Sequence, residues 1–148
     1  MRYLSVHDLV WINSTITGKQ LPFNYETLEQ AMAAQYNYGV STDVTGQAAN
    51  LLGTFLARHP FAAGNRRSAC IATIVFLEAN GYQVAADEET AARTVIDTAE
   101  GRITAEQAIS VLAYPGPDNP EEVSLRAMVA RTCNDHADVL KMLTEGDQ

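Results

Sequence analysis

The sequence predicts an all-α domain, a compact bundle of about seven helices packed around one buried hydrophobic helix. Three observations carry that prediction. Apolar residues recur at helical spacing along most of the chain, helix start and stop signals punctuate it, and the segment 66–80 is apolar almost all round. No alternating strand pattern competes, apart from "GYQVAA", which reads as a short extended piece.

Each element follows from its own residues. Ser5 with Asp8 reads as a capping start for a first helix carrying Leu9, Ile12 and Ile16 on one face, and Gly18 ends it. "KQLPFNYE" is then a loop, because its proline cannot continue that helix. A second helix is expected from about Tyr25 to Tyr38, with Leu28, Met32 and Tyr36 in register and Gly39 as its stop. Val44, Ala48, Leu51, Leu52 and Phe55 mark a third.

Residues 59–66 form a loop, since Pro60 disfavours a preceding helical turn and Gly64 supplies backbone freedom. The central helix runs from Arg66 to about Asn80, with Gly81 as its left-handed cap. Residues 87–99 make a further helix stopped by Gly101. Thr104 with Gln107 is a capping box for a short one ending near Ala113. "YPGPDNP" is the clear linker, after which Asn119 is expected to cap a last helix with Pro120, Glu121 and Glu122 in its first turn. Its inward stripe is Leu125, Val129, Thr132, His136, Val139 and Leu143.

Composition bounds the function. At 148 residues, 47% hydrophobic and 19% charged, the chain suffices for one cored domain and is too apolar for disorder. No apolar run is long enough to cross a bilayer. Ser5, His7, Asp8 and Asn13 interrupt the stretch where a secretory signal would need unbroken apolar residues, so the expected compartment is the cytoplasm. A formal net charge of −8 repels phosphate backbones, which disfavours direct nucleic-acid binding but leaves room for a local cationic pocket. Cys70 and Cys133 lack metal-ligand spacing and read as buried small hydrophobes.

The segment with chemistry in it is "HPFAAGNRRSACIATIVFLEANGY", His59 to Tyr82. A helix start leaves unpaired N–H groups and a partial positive charge, so a loop delivering Gly64 and Asn65 onto the central helix builds an anion pocket. Arg66 and Arg67 stand at its mouth, and an arginine fork matches phosphate oxygens while staying charged. His59 offers an imidazole that can take a proton from an attacking hydroxyl. The same residues also read as a plain helix end, with Phe61 filling the core and both arginines solvated.

"HPFAAGNRRSA" resembles the signature of the Fic and Doc family, H-x-F-x-[D/E]-[G/A]-N-[G/K]-R, and "ACIATIVFLEANGY" is similar to that family's central helix. The resemblance extends over roughly residues 1–113, through "YLSVHDLVWINSTITG" and "AEGRITAEQAISVL". It implies a Fic/Doc-like domain over 1–114, and the residues beyond, 115–148, read as a Pro-rich linker and a C-terminal helix packed on the same domain. It further implies transfer of a phosphate-containing piece of ATP or another nucleotide onto a protein hydroxyl. On that resemblance His59 is the general base, Gly64 and Asn65 the anion nest, Arg66 and Arg67 phosphate-holding, and Phe61, after Pro60, the anchor of the loop.

Three departures sharpen the expectation. Arg66 replaces the glycine of Fic-type adenylyltransferases and the lysine of Doc-type proteins, and Cys70 stands where many Fic members carry a second arginine. Both lean toward the death-on-curing (Doc) branch, which implies a toxin phosphorylating a translation elongation factor and restrained by an antitoxin. Ala63 occupies the place of the acid that holds Mg²⁺, and a methyl group cannot ligate a hard cation. Either Mg²⁺ arrives on the nucleotide phosphates, with Arg66 supplying charge, or the chain is a degenerate member that binds a nucleotide or partner without turnover.

Smaller signals complete the reading. "KQLPFNY" matches in position the flap over which family members lay a target segment, and reads equally as a core-capping turn. The family's self-restraining pattern, a Ser or Thr four residues before Glu-Gly or Glu-Asn, is missing, so restraint is expected from a separate protein. His136 reads as a partly buried structural residue, His7 has no assigned role, and Trp11 and Tyr3 are ordinary anchors.

Overall fold

The Ser5 hydroxyl accepts from the Asp8 N–H while the Asp8 carboxylate accepts from the Ser5 N–H, so two orphan donors are satisfied and helix α1 (Val6–Thr17) begins. The structure, a computed structural model, describes residues 1–36, 43–84, 86–116 and 123–147. Gly18 closes α1 in the left-handed region at φ 79°.

Asn24 caps α2 (Tyr25–Ala33). This helix is shorter than its periodicity predicts. The N–H groups of Gln35 and Tyr36 turn to carbonyls three residues back. The buried Gln35 amide then bonds the Leu4 N–H and C=O at 2.7 and 2.8 Å, which pulls the chain off the helical path. Tyr38 and Gly39 lie outside the described residues.

Asp43 caps α3 (Val44–Arg58), and Gly64 opens α4 (Asn65–Ala79). Twelve of the fifteen residues of α4 are buried, and it packs against α1, α3, α5, α7 and α8, whose ranges follow. Each fully buried Leu, Ile or Phe of such a helix contributes about 1.5–3 kcal/mol, so α4 is the element the others fold around. Gly81 ends it at φ 91°.

Strand β1 (Tyr82–Val84) pairs antiparallel with β2 (Ala113–Pro115), Gln83 opposite Tyr114. Between them run α5 (Glu88–Ala99), capped by Asp87, and α6 (Ala105–Leu112), which carries the expected capping box of Thr104 and Gln107. Thus "YQV" is extended, and the front of the Pro-rich segment is its strand partner. Pairing satisfies backbone groups that a free linker would leave to water.

The last helix differs from expectation twice. Its cap is Ser124, whose hydroxyl accepts from the Ala127 N–H, and residues 119–122 lie outside the described residues. It also breaks at His136 into α7 (Leu125–Asp135) and α8 (Ala137–Thr144). The stripe survives the break: Val129, Thr132, Val139 and Leu143 are buried, with Leu125 and His136 partly so. Helix α7 lies on α4 and α1, and α8 on α5 and α4. Among the described residues the result is eight helices and one two-stranded sheet, and no helix is long and apolar enough to cross a membrane.

Candidate functional site

The motif loop begins on a strained residue. His59 caps α3 in the left-handed region at φ 48°, the one non-glycine residue with positive φ among those described. That conformation costs a side-chain-bearing residue about 1–2 kcal/mol, so its surroundings must hold it there. They do so at the next two positions, where Pro60 is buried and the Phe61 ring packs between Phe55 and Phe23. The His59 side chain is left exposed above this anchor.

Asn65 closes the loop. Its amide donates to the Phe61 carbonyl at 2.8 Å and accepts from the Phe61 N–H at 2.9 Å, with both residues buried. The side chain expected at an anion nest therefore clamps the loop through the Phe61 backbone.

Gly64 is required twice over. Its φ is 78°, and a Cβ there would stand 2.8 Å from Thr17 Cγ2 and 3.1 Å from Asn13 Nδ2. The close approach lets α1 brace the motif, with Asn13 Nδ2 donating to the Ala63 carbonyl and to Ser68 Oγ, each at 3.0 Å. Asn13 is 1% exposed. It could have been noticed as a polar residue beside the apolar stripe of Leu9, Ile12 and Ile16.

An anion does sit at the start of α4, supplied by the chain itself. The N–H groups of Arg66 and Arg67 donate to the two oxygens of the Asp147 carboxylate at 2.7 and 3.2 Å, and Arg67 Nε donates at 2.8 Å. The Asp147 side chain is fully buried by these contacts. Two successive backbone donors, a helix N-terminus and a guanidinium form a cradle for a flat or tetrahedral oxyanion. The sequence carried no sign of Asp147, because 80 residues separate it from Arg67.

Beside Arg66 a groove of about 590 Å³ opens between α5 and the end of α8, its rim carrying Arg66 and Arg93 against Glu89 and Glu100. Cys70, at the position of the missing second arginine, is buried. Burial, then the nearby Glu88 charge and Cys133, push its thiol up to about 12, so it stays neutral and adds no charge to the site.

A protein-held Mg²⁺ does not fit these residues. Ala63 offers a methyl group, its carbonyl already accepts from Asn13, and the Asp147 carboxylate at the helix start is already held by the Arg66 and Arg67 donors. No group of three or more metal-capable side chains occurs among the described residues.

The segment Pro22-Phe23-Asn24 lies along the motif loop as a short extended bridge. Phe23 pairs with Phe61, the Asn24 N–H donates to Pro60 O at 2.9 Å, and the Ala62 N–H donates to Pro22 O at 3.0 Å. Sequence reading left this segment between flap and core-capping turn, and the contacts join it to the motif.

The model of the Fic/DOC family matches residues 3–77, just over half of the chain. No curated protein and no solved structure matches it. The matched span holds α1 with Asn13 and Thr17, the bridge segment, the motif loop and nearly all of the central helix. The chain belongs to the Fic/Doc family.

Proposed function

We propose that this protein is a Doc-like toxin of a toxin–antitoxin pair, transferring a phosphoryl or nucleotidyl group from ATP or another nucleotide to a Ser, Thr or Tyr hydroxyl of a protein. The observation that carries the reading is the oxyanion cradle at the start of α4, built from the Arg66 and Arg67 N–H groups and Arg67 Nε, which already holds a carboxylate. Phosphate oxygens make the same hydrogen bonds. Family members act on protein targets and often pair with antitoxins, which supports a protein substrate and an antitoxin partner in this reading.

In the reaction, the target hydroxyl oxygen forms a bond to phosphorus while the bond from phosphorus to the departing ADP or pyrophosphate breaks. His59 takes the hydroxyl proton. Arg67 and the helix start stabilise the charge on the transferring group, Arg66 adds charge at the mouth, and Asn65 with Phe61 keeps the loop in shape. No step is routed through a protein-held metal.

The test is intact mass of an elongation factor, and of the protein itself, after incubation with ATP and Mg²⁺. A His59-dependent gain of one phosphate is expected, a gain of one AMP would mean adenylyl transfer, and an equal gain with His59→Ala would remove His59 from its role. Loss of His59 should slow transfer by about 10²–10⁴-fold with nucleotide binding retained.

Ala63 favours a second reading, a degenerate Fic/Doc protein that binds a nucleotide or partner without turnover. Ala63→Asp separates the two. A large gain of activity supports degeneracy, and little change supports a mechanism that does not use that anchor.

A further inference from the structure

We infer that Asp147 is an internal occupant of the phosphate site, so that the segment after α8 restrains the protein by competing with nucleotide for the start of α4. The inference rests on the nucleotide reading above. Its basis is the placement of one carboxylate on all three donors of the cradle at 2.7–3.2 Å, with its own side chain fully buried. A phosphate needs those same N–H groups, and both anions cannot hold them together.

The delivery of Asp147 is built into the fold. The Glu88 carboxylate of α5 accepts from the Val139 N–H at 2.8 Å, anchoring the first turn of α8, while Val139 and Leu143 are buried beneath it. Past Thr144 the chain turns on Gly146 at φ 77°, and the Asp147 N–H bonds back to Thr144 O at 3.2 Å. That turn aims the next carboxylate at α4. Glycine allows it without the strain that another residue would carry.

Restraint of this kind lies within the chain, whereas the sequence pointed only to a separate protein. It needs neither the second arginine, which is Cys70 here, nor a Ser/Thr-to-Glu pattern. It requires that the tail leave before nucleotide binds, so apparent affinity falls by the fraction of molecules with the cradle open.

The experiment is titration of ATP into the full chain and into Asp147→Ala and Glu145→Ala, with amide ¹⁵N–¹H spectra of the unliganded proteins. Both substitutions remove one negative charge from the same segment, and only one removes the occupant. ATP affinity is expected to rise about tenfold or more in Asp147→Ala and to change less than about twofold in Glu145→Ala. The Arg66 and Arg67 amide signals are expected to move in Asp147→Ala alone. Equal ATP affinity in wild type and Asp147→Ala would overturn the restraint while leaving the nucleotide reading standing. Equal gains in the two variants would overturn it in favour of general charge repulsion. Absence of ATP binding in every protein would overturn both, and unmoved Arg66 and Arg67 amides would overturn the occupancy itself.

Discussion

Asn65 and Phe61 exchange two hydrogen bonds across the motif loop, Nδ2 to the carbonyl at 2.8 Å and the backbone N–H to Oδ1 at 2.9 Å. Both residues are buried, so water cannot replace either bond. Asn65→Ala leaves a donor and an acceptor of Phe61 unpaired and should cost about 2–4 kcal/mol. Urea denaturation measures it; a loss under about 0.5 kcal/mol would mean the loop has another support.

Gly64 and Thr17 make a second testable contact. A methyl at position 64 meets Thr17 Cγ2 at 2.8 Å in a left-handed backbone, so Gly64→Ala should destabilise by about 2 kcal/mol or more. Thr17→Ser removes that methyl and keeps the hydroxyl that donates to Asn13 O, so it should recover part of the loss in a double-mutant cycle. The remainder belongs to φ and to Asn13.

The cysteines should differ in reactivity. Only the thiolate is alkylated, and burial pushes Cys70 up to about 12 and Cys133 upward as well. At pH 8 iodoacetamide should leave Cys70 unmodified until the protein is unfolded, as peptide mass spectrometry would read. Ready labelling of native Cys70 would mean that α4 opens locally.

Two carboxylates should tilt stability against pH in opposite directions. Hydrogen bonds from Thr90 hold Asp87 below its usual range, so its capping contribution is present above the unfolded value and fades as pH falls through the folded one. Asp87→Ala should therefore destabilise at pH 7 and matter less in acid. Burial, opposed by Arg131 and His136, raises Glu78, so its contribution is full below the unfolded value and lost as pH rises through the folded one. Glu78→Gln should gain on wild type as pH rises from 4 to 7. Thermal melts across that range check both signs.

Signals that depend on neighbouring residues were legible in the sequence. The cap of α1, the box that opens α6, the glycine ends of α1 and α4 and the near-total burial of α4 all follow from residues within a turn or two of one another. The motif from His59 to Arg67 was legible for the same reason, since loop, glycine and helix start are contiguous. The end of α2 was misread because a residue 31 positions away in sequence, Leu4, takes the Gln35 side chain. The break at His136 was missed because the apolar stripe continues through it.

By itself the sequence determined the helical class, the central helix and the family motif, because capping, propensity and apolar period act over a few residues. Tertiary structure alone decided what surrounds that motif. Asn13 reaches the Ala63 carbonyl across 50 residues, Phe23 bridges to Phe61, and Asp147 fills the cradle of Arg66 and Arg67 from the far end of the described chain. Those contacts arise when α1 and α8 dock on α4 and the segment before α2 lies along the motif loop, and no local pattern encodes which distant polar group will meet an orphaned backbone donor.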